Sequence, residues 1–207
     1  MAINSYFTLQ TAVKNWLDRD DLSGRITEFI SLAEARIARR LRVRGVEERS
    51  TTPLVSGQEY YSLPTDFLTA RSVKINSSPV RVLQYKTPAQ LSEIYPNSTA
   101  GESKHYTIIG EEIQLKPAPS STSTLEIAYF MKLPALSDSN TTNWLTANAP
   151  DLLLYGSLME AEAYLINDPR IPIWKSGFDE AMLEWNKQED TARFSGHALA
   201  TSVKSNP

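Results

Sequence analysis

The 207-residue chain contains no cysteine, which removes disulfides, thiolate nucleophiles and cysteine-ligated metal together and fits a reducing compartment. Histidine is almost as scarce, with only His105 and His197. A general acid or base is most often histidine, and zinc usually needs several Cys or His ligands, so neither hydrolytic acid–base chemistry nor a zinc centre has its residues here. None of the eight glycines belongs to a GxxxxGK or GxGxxG phosphate-binding loop, and Gly156-Ser157 lacks the GxSxG elbow of a serine hydrolase. No apolar run approaches the roughly 18 residues of a membrane-spanning helix. The opening MAINSYFTLQTAVKNW lacks the basic stretch and apolar core of a secretory signal, so no membrane partner is expected. The tripeptides at Asn76, Asn97 and Asn140 then read as polar turns rather than glycosylation sites.

Other local signals for chemistry are as thin. Asp18, Asp20 and Asp21 resemble the opening of a calcium loop, but Ser23 stands where its glycine should be and Phe29 where its bidentate glutamate should be. The cluster reads as a helix-initiating turn. Glu111 and Glu112 are neighbours in a turn and diverge, and no pair of carboxylates on rigid elements suits glycoside hydrolysis. No catalytic residue, metal site or cofactor is expected.

What is present is a real core and a change of period along the chain. Hydrophobic residues make up 41%, enough for one ordinary domain or two small ones. Tyr6 to Leu17 is helical, and Asp18 to Gly24 is a polar break with Asp21 or Ser23 as candidate N-cap. Ile26, Ile30, Ala33, Ile37 and Leu41 then recur at steps of three and four, an amphipathic helix that stops near Gly45.

From Val46 to Leu136, Pro, Gly, Ser and Thr punctuate short alternating or β-branched runs. The expected strands are 59–63, 70–75, 80–85, 106–109, 113–116 and 124–131, with a tight hairpin at Gly110-Glu111-Glu112. One short helix interrupts them, with Thr87 as N-cap and Pro88 in its first position. Helical period returns after Pro150 through Leu152, Tyr155, Met159 and Leu165. A second stripe follows at Trp174, Phe178, Ala181, Trp185 and Ala192. The fold class is therefore α+β: an antiparallel helical bundle from residues 1–45 and 137–193, an inserted antiparallel β lobe over 46–136, sandwich or barrel-like and carrying one short helix, and a flexible C-terminal tail at 194–207. The tail, FSGHALATSVKSNP, has too little apolar surface to offset the entropy of ordering.

Net charge is only −3, but it is unevenly placed. Six arginines oppose Glu28 and Glu34 between Arg25 and Arg44, giving +4, whereas residues 151–190 sum to −6. Two such faces are expected to meet, within one subunit or between two. The run RIARRLRVR, Arg36 to Arg44, can also contact phosphates, which makes a nucleic-acid-binding module the alternative reading. Against it stand the acidic total and the lack of interleaved aromatics for base stacking. In LPTDF, Pro64 fixes its own φ and Asp66 is expected to accept hydrogen bonds from nearby backbone amides, closing a structural turn that carries Phe67 inward.

LPTDFLTARSVKIN, then YTIIGEEIQLKPAPSSTSTLEIAYFMKLPALSDSNTTNWL, then PDLLLYGSLMEAEAYLINDPR resembles the head–tail adaptor proteins of short-tailed bacteriophages, the tail-tubular-protein-A type. The resemblance rests on order and spacing from about Ile3 to Arg193: the Leu-Pro-x-Asp-Phe corner, the strand ending in Lys116-Pro117-Ala118-Pro119, LEIAYF, Trp144-Leu145, and a helix with many small residues. It implies a structural virion protein without enzymatic activity, made in the host cytoplasm and placed at the head–tail junction. Such a protein forms a homo-oligomeric ring of about twelve copies, docks beneath the portal protein and extends the channel through which packaged DNA passes without sequence-specific binding. It also carries the tail or nozzle protein. By the same resemblance the C-terminal segment reaches the portal through Phe194, Leu199 and Val203. Arg36, Arg39, Arg40 and Arg42 are assigned to a subunit interface, with contact to the portal or the channel lining as the other uses of that helix.

Overall fold

A computed structural model describes residues 2–97, 99–165 and 168–194, with backbone alone at Arg44 and residues 189–194. The chain divides into two compact units, Met1–Gly45 with Leu133–Pro207, and Val46–Lys132.

In the helical unit, α1 (Tyr6–Leu17) opens on a capping box in which Ser5 and Thr8 satisfy each other's backbone amides. It ends at Asp18, which turns left-handed at φ 53°. Its final carbonyls, Trp16 and Leu17, accept hydrogen bonds from the Arg170 guanidinium at 2.9 and 3.2 Å, itself gripped by Asp168. Helix α2 (Ile26–Arg40) buries Ile26, Phe29, Ile30, Ala33 and Ile37, the stripe expected from the period. Its start differs from expectation. Neither Asp21 nor Ser23 caps it: Asp21 is held by Arg19, and a 3-10 turn at Ser23–Arg25 leads into the helix without a side-chain cap. The helix also stops before Gly45, at Arg40. A Cβ on Gly45 would lie 2.0 Å from Trp144 Nε1, so the residue there is small because the indole is against it.

A short helix that alternation did not suggest, α4 (Trp144–Asn148), is capped by Asn143 and leads into α5 (Pro150–Glu160). Helix α5 is apolar on nearly every side, burying Leu152, Leu153, Leu154, Gly156, Ser157 and Leu158. A helix without a polar face must be covered all round. Helices α1, α2, α4 and α6 (Ile171–Phe194) all pack on it. Trp174, Phe178 and Ala181 of α6 are buried as the stripe requires.

The second unit is a two-sheet sandwich. One sheet has the order β1 (Glu47–Pro53), β10 (Thr124–Met131), β3 (Phe67–Asn76), β4 (Arg81–Val82). The other runs β2 (Tyr60–Ser62), β8 (Glu112–Lys116), β7 (His105–Ile109), β5 (Gln84–Tyr85), and a small pair joins β6 (Ala100–Gly101) to β9 (Ala118–Pro119). Leu54, Val73, Ile75, Ile113, Leu115, Leu125 and Ile127 belong to the shared core. The β7–β8 hairpin turns at Gly110, φ 61°, with Ile109 facing Glu112, the two-residue primed turn that suits strand twist.

Three details depart from the sequence reading. Residues 80–85 are two short strands in different sheets, because Leu83 is buried between them and its amide bonds Val73 as the chain changes sheet. The lobe is mainly antiparallel, yet β5 and β7 are parallel, since α3 (Pro88–Ile94) supplies the crossover a parallel pair needs. Strand β1, EERSTTP, carries no apolar alternation and was not expected.

Packing around α5 is tight at Gly156, where an added Cβ would meet Ala33 Cβ of α2 at 3.1 Å and the Phe178 ring of α6 at 3.2 Å. Gly156→Val is expected to lose about 1–3 kcal/mol through overpacking, although valine outranks glycine in helix propensity. Urea unfolding checks it: a wild-type midpoint would show that the three helices do not meet there.

Candidate functional site

Four arginines of the α2 region were the residues assigned to an interface, and three of them already have partners in the same chain. Arg36 Nε donates to Glu160 Oε1 at the end of α5, at 2.6 Å, with the Glu160 side chain only 15% exposed. Arg40 pairs with Asp179 of α6 at 3.2 Å, both half exposed. Arg42 folds back over the end of α2, donating to the carbonyls of Ala38, Arg39 and Leu41, while its own amide bonds Asn186 of α6. Cations at a helix C-terminus also complement its dipole. The basic and acidic stretches therefore meet inside one subunit at these pairs, which was one of the two arrangements the charge pattern left open.

Arg39 differs. It is exposed, and among the described residues its guanidinium makes no hydrogen bond or ion pair. On α2 it shares an outward stripe with Glu28, Leu32 and Ala35, spaced three and four apart and all exposed, with Leu32 at 53%. An exposed apolar side chain on the same stripe as a guanidinium is a composition that suits a contact surface, since arginine is enriched and lysine depleted at interfaces.

On a different face of α2, Glu34 accepts hydrogen bonds from the Leu136 amide at 3.1 Å and from Asn143 Nδ2 at 2.9 Å. Burial raises its carboxyl pKa, and these two donors partly oppose the shift. Glu34 thereby fixes the segment that re-enters the helical unit and leads to α4. Charge counting alone gave no signal of this, because the partners lie about a hundred residues away.

In the β unit the LPTDF corner closes by a route other than the expected one. The turn closes through the Phe67 amide donating to the Pro64 carbonyl at 3.0 Å. The Asp66 carboxylate accepts not from nearby amides but from the Tyr129 hydroxyl on β10, at 2.9 Å, while its carbonyl accepts the Lys132 amide. Burial, then the Asp66 hydrogen bond and charge, push the Tyr129 hydroxyl up to about 12. Phe67 lies against Tyr129 with ring centroids 5.5 Å apart. Tyr129 falls on the core side of LEIAYF with Leu125 and Ile127, and a tyrosine placed there needs a polar partner. Nothing local names Asp66 as that partner. A shallow cleft of about 170 Å³ lies beside the corner, lined by Leu63, Pro64, Thr65, Phe67, Gly110 and Glu111.

The remaining sequence candidates are not brought together. His105 accepts or donates one bond to Tyr95 Oη at 2.8 Å, and burial, followed by Lys86 and Lys104, lowers its pKa. Leu199, Val203, His197 and the side chain of Phe194 lie outside the described residues. Among the described residues no group of acids and histidines is arranged to hold a metal ion.

Replacing Asp66 by Ala, or Tyr129 by Phe, should each cost about 0.5–1.5 kcal/mol, and the double variant should cost less than the sum, because one hydrogen bond is removed by either change. Strict additivity in a denaturant-unfolding cycle would show that the two residues act separately.

A search of curated proteins gives no match to the chain. The family model described as SU10 adaptor protein matches residues 4–201, which takes in the arginine helix, the Asp66 corner and the buried α5 alike. That coverage settles the family: the chain belongs to the SU10 adaptor proteins, phage head–tail adaptors with a structural, non-catalytic role.

Proposed function

We propose that the protein assembles into a homo-oligomeric ring of about twelve copies that docks beneath the portal, extends the DNA channel and presents a platform to the tail or nozzle protein. The observation that carries this reading is the family match over nearly the whole chain, including both compact units. The α2 region is the proposed subunit interface. Arg39, with Leu32 beside it, makes the primary contact. Arg40, whose ion pair is half exposed, can exchange Asp179 for a neighbour's carboxylate, whereas Arg36 and Arg42 hold α2 in the shape that presents the stripe. Phe194, Leu199 and Val203 are the proposed portal anchors. Each anchor is weak, and a ring multiplies them through effective concentration.

Electron microscopy of the protein mixed with its portal is the direct test, and a ring seated beneath the portal is expected. Isolated surface pairs contribute only about 0–1 kcal/mol, so the interface needs a combined variant. Leu32→Asp with Arg39→Glu should leave circular dichroism and Tm near wild type and abolish ring formation; normal rings would remove this stripe from the interface. If the protein instead binds duplex DNA with an affinity that falls steeply with salt, the α2 arginines act on phosphates and the interface assignment is wrong.

Deleting the chain after Arg193 tests the anchors separately. Folding and ring formation should persist while portal attachment is lost. Attachment at wild-type level by the truncated ring would exclude the tail as the docking element.

A further inference from the structure

The longest edge strand in the β unit is β1, and its outward backbone groups can be named. The Leu54 amide donates to Ser123 O at 2.8 Å, in the register that pairs Pro53 with Thr124 and Glu47 with Phe130. In an antiparallel ladder, residues alternate between directing both backbone groups at the partner and directing both away. Leu54 is of the first kind, and so are Thr52, Ser50 and Glu48. Arg49, Thr51 and Pro53 therefore turn their backbone groups away from β10. All three are exposed, and among the described residues no hydrogen bond occupies the amides of Arg49 or Thr51. Pro53 fits the same parity, since its missing N–H falls on the open side where the ladder loses nothing.

Free edges are ordinarily blunted by being short. Three other edge strands of this unit follow that rule: β2 has 3 residues, and β4 and β5 have 2 each. β1 has 7. Its polarity is directional: the Arg49 side chain is 69% exposed and touches Glu126 only at 3.6 Å, so it can accept a second carboxylate.

We propose that β1 is a strand-docking edge that takes an extended segment from another virion protein, hydrogen-bonded to the Arg49 and Thr51 amides and carbonyls, with an acidic side chain placed beside Arg49. Backbone pairing supplies the affinity and the Arg49 contact supplies the register. A second copy is a poorer occupant. Among the described residues, β1 is the one edge strand longer than three residues. Antiparallel self-pairing within the allowed parity sets Arg49 against Arg49 or Glu48 against Glu48, or draws Pro53 into the ladder. The inference rests on the adaptor role, though not on which protein the ring meets.

Amide hydrogen exchange tests it on the full-length chain, free and in neck particles isolated from virions. In the free protein the Arg49 and Thr51 amides should exchange fast and Ser50 and Thr52 slowly. In the particle, Arg49 and Thr51 should slow by at least about tenfold. Unchanged exchange would overturn the proposal, and equal slowing in rings of the purified chain alone would assign the edge to a second copy or its tail, which also overturns it. Substitution gives a separate arm. Thr51→Pro removes an outward amide and should fold with near-wild-type Tm yet fail to enter particles, whereas Thr52→Pro removes a ladder bond and should lower Tm sharply. Incorporation of Thr51→Pro at wild-type level would sink the idea. Should Thr51→Pro not fold, Arg49→Glu leaves the backbone intact and must lower incorporation severalfold.

Discussion

The helical unit depends on one constraint: α5 has no polar face to give to water, so every side of it must be covered by protein. Leu152, Leu153, Leu154 and Leu158 point in different directions around the helix, and all are buried. Only a ring of neighbours satisfies that, and the glycine at 156 lets α2 and α6 approach together. Gly177 does the same on the reciprocal side, where the Tyr155 ring lies 3.1 Å from the position its Cβ would take. The covering helices come from both ends of the chain, with residues 46–132 between α2 and α4. The core around α5 is thus built from contacts of large sequence separation, and the helical unit cannot close until the β segment has been made.

Charge follows packing. Once α2 and α6 lie on α5, the arginines at positions 36 and 40 face Glu160 and Asp179, and the sequence asymmetry is largely used inside the subunit. A row of five cations in the sequence is consequently not a row of five free cations in space. This weakens the phosphate-binding reading and gives special weight to Arg39, which lies on the opposite side of the helix from the buried stripe. Glu34 shows the complementary case: a charge on a less exposed face is kept because two donors from the re-entering segment satisfy it.

Elements whose cause is local were legible in the sequence. The α1 span, the buried stripe of α2, the Thr87-Pro88 start of α3, the Gly110 hairpin and the full length of β10 all follow from period, cap or turn chemistry within a few residues. Elements whose cause is distant were not. Strand β1 is polar and becomes a strand through pairing with β10, some eighty residues later. Residues 80–85 look continuous until Leu83 is required in the core. The turn at LPTDF was expected, but the Asp66 carboxylate's partner, Tyr129, is 63 positions away and nothing in the local sequence names it. At the α2 start, two good capping residues lost to a 3-10 turn because Arg19 engages Asp21 and the buried Leu22 sets the path of the chain.

A protein whose work is contact rather than reaction leaves no constellation of catalytic side chains, which raises the question of what in this sequence carried its family. The segments behind the resemblance are packing determinants. Leu-Pro-x-Asp-Phe contains the carboxylate that locks the corner to β10, and LEIAYF contains the tyrosine that donates to it. Lys116-Pro117-Ala118-Pro119 leads into the β6–β9 pair, where the Pro117 carbonyl accepts from Ser103 and the Pro119 carbonyl from Gly57. Trp144 lies against Gly45 and stacks edge-on with Trp185 at 5.3 Å, and the small residues of α5 admit its neighbours. These residues build the scaffold and are buried or half-buried, whereas the surfaces proposed for partners, Leu32, Arg39 and the outer edge of β1, sit outside every one of those motifs. Scaffold signatures therefore identify the family while leaving partner choice to exposed positions, where a substitution changes a contact without disturbing the fold.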